Sequence, residues 1–302
     1  MRLVLVAEEA AGARAVRRLA SGPHELVAVL SSDSPHAGPA REAKRLGIER
    51  WPAELVKTRQ LARRLCSAEV DLLLNVHSLH VVHPEVLASP RLGSFNLHPG
   101  PLPDLPGLNA PSWAIFEGRR RHAVTLHRMT VEVDGGPIAY EAPVDVTDED
   151  TGLTLSARCA VAGVQLIDRL LEDAVGAGVP CRPQGLGRGT FHGREAPFAG
   201  RLPWRLSSRR IVDLVRAADF RPFRSPWGHP SCRLEGTEVE VLRTHPAQGS
   251  PAAPPGTVGP EGIVAAGDGW VRVEQIRADG VAASPQEVLR PGACFDAVEL
   301  EA

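Results

Sequence analysis

Four stretches of strand length, RLVLVA (2–7), ELVAVLS (25–31), DLLLNV (71–76) and SFNLH (94–98), constrain this chain more than any other feature. The first three are near-continuous apolar runs, the pattern of strands covered on both faces. Between them Val16, Leu19 and Ala20 fall at helical spacing, and EAKRLGI and ELVKTRQLARRLC are helical candidates. Strand alternating with helix predicts an α/β fold with a Rossmann-like, doubly wound, mostly parallel sheet. Pro99, Pro101 and Pro103 stop the fourth strand, because proline donates nothing to a ladder. A helix is expected over 109–117, with Asn109 as its cap and Pro111 in its first turn. AVTLHRMTVEV and GPIAYEAPVDV flank Asp134 and Gly135 and predict a hairpin. A longer amphipathic helix follows over 151–173, with Leu153, Leu155, Val161, Val164, Leu166, Ile167 and Leu170 as its apolar positions.

After that helix the texture changes to GAGVPCRPQGLGRGTFHGREAPFAGRLPW, a linker composition rich in Gly, Pro and Arg. SSRRIVDLVRAADF carries Ile211, Leu214 and Val215 as a stripe behind a Ser207 or Ser208 cap, so a helix is expected there. From Gly228 onward come short strand-like pieces (TEVEVLRT, GTVG, GIVAAG, GWVRVEQIR) that suit a small β-barrel, OB-like, or a sandwich. The expected division is a first domain over 1–175, a linker with a helix over 176–227 and a β-rich domain over 228–302.

Charge excludes some partners. The formal net charge is -2, so no overall basic field calls for nucleic acid or an anionic membrane. That total conceals -3 over 1–174, +7 over 175–227 and -6 over 228–302. Clustered arginines suit phosphates or carboxylates, and equally a solvated surface. No apolar run approaches the ~20 residues of a membrane-spanning helix, and MRLVLVAEEA turns acidic too soon for a secretory signal, which predicts a soluble, cytoplasmic protein. Five cysteines without a CxxC pair fit reduced thiols.

The strand period of two puts Asn96 and His98 on one face, at the carboxyl end of a strand where open α/β sheets bind ligands. An imidazole can exchange a proton there, and an amide beside it can donate to a developing oxyanion. For an isolated Asn-x-His, two satisfied buried polar groups are the commoner explanation. Asp134 is likewise either a turn residue or a carboxylate that orients a histidine. His77, His80 and His83 match no familiar zinc spacing, so no metal is expected. GxGxxG after the first strand, a P-loop and GxSxG are all absent.

FNLHPGPLPDLPGLNAPSWAIFEG followed by TLHRMTVEVDGGPIAYEAPVDVTDEDTGLTL resembles the core of the formyltransferases that use N10-formyltetrahydrofolate. The shared pattern is Asn-x-His, a Leu-Pro-x-x-x-Gly loop, a helix, then an aspartate before a Gly-rich turn. The likeness covers about residues 1–175, and the linker, the helix near 207–219 and the β-rich end are also similar to that family. It implies Asn96, His98 and Asp134 as a catalytic trio: Asn96 and protonated His98 hold the oxyanion, while Asp134 holds His98 and assists removal of a proton from the attacking amine. It implies a pterin wall at 74–81 and 132–138, with Val76, His77, Leu79, Val133, Gly135 and Gly136 as donor-binding positions. Gly100, Pro101, Leu102 and Pro103 replace the usual Ser-Leu-Leu-Pro, and Asp104, Leu105 and Pro106 stand where tRNA-acting members are basic and aromatic. The chain also lacks their long basic insertion. The implied acceptor is therefore a small amine, an amino-sugar nucleotide or an amino-acid-derived metabolite, with the +7 stretch available to a phosphate-bearing portion. A methionyl-tRNA formyltransferase and a formyltetrahydrofolate hydrolase are the alternatives, with a non-enzymatic folate-binding module behind them. A homodimer and a carrier-protein-bound acceptor stay open.

Overall fold

The protein is described by a computed structural model that covers residues 1–32, 38–185, 187 and 189–298. Two compact units interleave along the chain: one holds 1–110, 121–145 and 156–191, the other 111–120, 146–155 and 192–302.

In the first unit β1 (Arg2–Ala7), α1 (Glu9–Ala20), β2 (Glu25–Ser31), α2 (Gly38–Arg45), β3 (Glu49–Pro52), α3 (Arg59–Ser67), β4 (Leu72–Val76), α4 (Pro84–Ala88) and β5 (Gly93–His98) alternate as expected. After α5 (Ala110–Phe116), β6 (Arg121–Arg128) and β7 (Ile138–Asp145) complete a seven-stranded sheet of order β3-β2-β1-β4-β5-β6-β7. β1 to β5 are parallel, whereas β6 runs antiparallel to both neighbours. The order turns at β1 and β4, where consecutive crossovers leave in opposite directions and open a crevice at the carboxyl ends. Val4, Val6, Ala28, Leu30 and Leu73 line one face and pack on Val56, Leu61, Leu65 and Val86 from α3, α4 and the turn before α3. The Arg64 guanidinium covers the Trp51 ring at 3.8 Å.

α6 (Gly152–Val175) is the expected long helix. Leu155, Leu166, Ile167 and Leu170 are buried, but Val161 is exposed. One strand was not expected, and two local expectations fail. ERWP forms the short edge strand β3, which its charge and proline had hidden; its pairing with β2 is non-local. The hairpin exists, but its first strand stops at Arg128, so 129–137 form a loop rather than a two-residue turn. Asn109 has φ of +58°, not the extended backbone of an N-cap.

The second unit contains α7 (Ser208–Ala217), whose Ser207 cap accepts from the Arg210 N–H at 3.2 Å. β8 (Ser231–Leu234), β9 (Thr237–Ala247), β10 (Ile263–Ala265), β11 (Trp270–Ala278) and β12 (Val281–Ala283) form an antiparallel sheet of order β10-β11-β9-β8, with β12 on β11. α8 (Pro285–Val288) follows. Val239, Val241, Val271, Val273 and Ile276 are buried beside Ile211, Leu214 and Val215 of α7. GTVG contributes only isolated bridges at Thr257 and Val258. Among the described residues no helix is long and apolar enough to cross a membrane.

Much of the +7 stretch is neutralised within its own unit. In the second unit Arg209 and Arg216 hold the buried Asp213 at 2.9 and 2.7 Å, Arg201 pairs with Glu238, Arg221 with Asp219, and Arg210 lies over Phe116. In the first, Arg182 pairs with Glu141.

Candidate active site

Three adjacent strands bring polar side chains to the crevice. Parallel register sets Asn75 of β4 beside Asn96 of β5, and antiparallel register sets Asn96 beside His127 of β6. Residues opposite one another in a ladder share a face. His98 lies two residues beyond Asn96, buried at the strand end. Asp134 arrives from the 129–137 loop with φ of +53°, a left-handed conformation that aspartate tolerates better than most residues. Gly136 makes that path possible: a Cβ there would fall 1.8 Å from the Arg128 carbonyl oxygen.

Hydrogen bonds fix the orientation of each group in turn. Asn75 Nδ2 donates to Asn96 Oδ1 at 3.0 Å and to the Ser78 carbonyl at 3.2 Å. Asn96 Nδ2 therefore faces the other way, toward His127 Nε2 at 3.0 Å and Asp134 Oδ1 at 3.3 Å. His127 Nε2 accepts, so its proton sits on Nδ1 and donates to the Arg128 carbonyl at 3.1 Å. His98 Nε2 donates to the Leu105 carbonyl at 2.7 Å, leaving Nδ1 turned to Asp134 Oδ2 at 3.5 Å. The Gly107 N–H donates to the same Oδ2 at 2.9 Å. The proline-rich loop after β5 supplies both backbone groups. It is held on β6 by Thr125, whose hydroxyl donates to the Gly100 carbonyl and accepts from the Leu102 N–H.

Burial pushes the His98 imidazole below the usual histidine range, against the pull of the Asp134 carboxylate and the Leu105 carbonyl. Burial alone would raise Asp134, but His98, His127 and the Gly107 N–H outweigh it and hold the carboxyl at about 2. Burial thus favours a neutral imidazole whose Nδ1 faces an ionised carboxylate. A proton delivered to Nδ1 would convert the contact into an ion pair.

The structure brings Asn96, His98 and Asp134 together and places the donor-binding positions around them unevenly. The Val76 side chain is buried in the sheet, while Leu79 and Val133 are exposed apolar side chains on the two flanking loops. Gly135 and Gly136 lie in the turn that carries Asp134, and the Gly136 carbonyl accepts from Gln184. His77, with φ of +59°, meets Glu9 Oε2 at 3.0 Å where β1 and β4 diverge. His77, His80 and His83 lie in an irregular loop: His80 faces Glu54 at 3.6 Å, and His83 caps α4 by accepting from the Glu85 N–H. Among the described residues no three His, Cys, Asp or Glu side chains gather as metal ligands. Asn75, His127 and Gln184 were missed. The visible sign of Asn75 was a lone amide ending an apolar strand; His127 shows only once its register with Asn96 is known.

The family model for formyl transferase matches residues 3–171, more than half of the chain, and the model for the formyl transferase C-terminal domain matches 197–290. The chain belongs to the formyltransferase family. This formyltransferase shares its fold with an N-formyltransferase from Helicobacter canadensis solved with folinic acid and dTDP-3-aminofucose (TM-score 0.71, 15% identity, 90% of this chain and 98% of that one). It is also similar to HypX from Aquifex aeolicus (TM-score 0.67, 19% identity), covering 96% of this chain but 47% of that one. Glycinamide ribonucleotide transformylase 1 from Symbiobacterium toebii matches at TM-score 0.53 and 24% identity, over 61% of this chain and 94% of that one.

Proposed function

We infer that this formyltransferase moves the formyl group of N10-formyltetrahydrofolate to the primary amine of a small acceptor, an amino-sugar nucleotide or an amino-acid-derived metabolite. The observation that carries this is the Asn96–Asp134–His98 cluster at the carboxyl end of β5, where the Asp134 carboxylate lies 3.3 Å from Asn96 Nδ2 and 3.5 Å from His98 Nδ1. The donor supplies a carbonyl carbon at the formyl oxidation level with an amine leaving group. The residues present fit such a donor: Asn75 Oδ1 and Ser78 Oγ are buried without a hydrogen-bond partner and suit the polar edge of a heterocycle. Leu79 and Val133 suit its apolar faces.

Asn96 keeps one N–H on His127, and its longer 3.3 Å contact to Asp134 is the one that can turn toward negative charge developing on the formyl oxygen. His98 Nδ1 receives the proton that the attacking amine loses, and Asp134 stabilises the imidazolium so formed. A proline-walled loop and an acidic C-terminal region favour a small acceptor over a polyanion.

Incubation with N10-formyltetrahydrofolate and a panel of amines, read by product mass, tests this. One formylated amine supports the reading. Free formate released at full rate without any amine would establish the hydrolase instead, and retention on tRNA at low salt with formylation of the charged initiator would establish the tRNA enzyme.

A further inference from the structure

We propose that Gln184, in the segment whose composition reads as a linker, is a positioning residue that holds Asp134 for catalysis and walls the pocket through which the amine arrives. The proposal rests on the functional reading above. Arg182 pairs with Ile138 at the start of β7 through two backbone hydrogen bonds of 2.8 and 2.9 Å. Gln184 Nε2 then donates to the Asp134 carbonyl at 2.6 Å and to the Gly136 carbonyl at 2.8 Å. Both N–H groups of one amide close over the turn on which Asp134 stands in a left-handed conformation. Further on, the Gly189 N–H donates to the Pro103 carbonyl at 2.9 Å, so near the Asp104 backbone that a Cβ would fall 1.7 Å from its oxygen. The segment is thereby tied to β7, to the Asp134 turn and to the loop after β5.

Those ties enclose a pocket lined by Pro103, Pro106, Val133, Asp134, Gln184 and Phe191. Asp134 is its one ionisable group among the described lining residues. With its nitrogen committed, Gln184 has Oε1 left to accept from an amine. An amine on an uncharged arm suits this entrance, and a phosphate does not. Aspartate visits the left-handed region more readily than most residues but is not confined to it, and the two hydrogen bonds from Gln184 hold the turn there.

The experiment uses the full chain with Gln184→Met, which keeps the length and removes both donors, and Gln184→Glu, which turns a carboxylate on two carbonyl oxygens. In the ligand-free protein the His98 imidazole is titrated by NMR. Because the Asp134 carboxylate opposes the effect of burial on His98, displacing it moves the titration further down, more in Gln184→Glu than in Gln184→Met. In turnover, kcat falls about tenfold to thirtyfold for the loss of two hydrogen bonds, while KM for the formyl donor holds. In an Asp134→Asn background the Gln184→Met change adds nothing to the shift, which checks the route through Asp134 should Gln184→Glu not fold. A wild-type titration in Gln184→Met, or a lowered Tm with kcat within twofold, overturns the proposal. If no amine is formylated by the wild-type protein, the functional reading fails, and the NMR arm still decides the role of Gln184.

Discussion

Replacing Asp134 with asparagine removes one charge at nearly constant shape. The carboxylate lies 3.5 Å from His98 Nδ1. At the effective dielectric of about 20 that suits protein sites, a unit charge on each is worth about 5 kcal/mol. That stabilisation appears only once Nδ1 has taken the amine's proton, so its loss falls on the barrier and lowers kcat by about three decades. A second cost falls on folding. With its pKa held at about 2 instead of 3.8, Asp134 contributes about 2 kcal/mol. A depressed carboxylate contributes fully above its unfolded pKa and loses the contribution as pH falls through its folded one, so at neutral pH the variant has forfeited it. Single-turnover formyl transfer, run beside equilibrium binding of 5-formyltetrahydrofolate and thermal melting, separates the effects. The expected result is a lowered Tm, donor affinity within about threefold of wild type and a collapsed rate. A single-turnover rate within tenfold of wild type would refute the assignment of Asp134 to the chemical step.

The pH dependence of kcat/KM should show an acid limb below the usual histidine value of 6.5, because burial depresses His98 and activity needs Nδ1 unprotonated; a limb above 7 would contradict the neutral resting state. Stability should decline over the same descent, since the unfolded chain takes that proton first, and denaturant melts at pH 5 and 7 check this. Asn75→Ala frees the Asn96 carboxamide to rotate and should lower kcat about tenfold, with near-normal KM for the amine; an unchanged kcat would show that Asn75 does not orient it. Gly136→Ala forces a Cβ into the Arg128 carbonyl and should destabilise by about 2 kcal/mol or more while abolishing transfer, read from melts and turnover together.

The parallel half of the sheet was legible because its strands are near-continuous apolar runs, and burial on both faces leaves that mark in any sequence. β3 was not, since four residues carrying Glu49, Arg50 and Pro52 become a strand only by pairing with β2. Asn96 and His98 share a face by strand period alone, but Asn75 and His127 join them through register, which depends on contacts across 21 and 31 residues. The Asp-Gly pair marked the turn correctly and concealed its geometry, because the early end of β6 depends on the Arg128 N–H pairing with the Pro137 carbonyl across a nine-residue loop. Gln184 left no local signal at all: its partners are two main-chain carbonyls, and no side-chain pattern records those.

The interleaving of the two units limits how such a protein can change by recombination. A crossover at any single position after residue 110 would pass on one unit incomplete. A chain ending at Phe191 would carry Pro111–Arg120 and Val146–Leu155 without the residues they pack among, and one beginning at His192 would lack both. Ser112, buried with its hydroxyl on the Ala217 carbonyl, and Leu153, whose N–H donates to the Asp219 carbonyl, would be parted from those partners by that cut. The second unit is therefore whole only in a chain that also carries the strands of the first on either side of those two insertions.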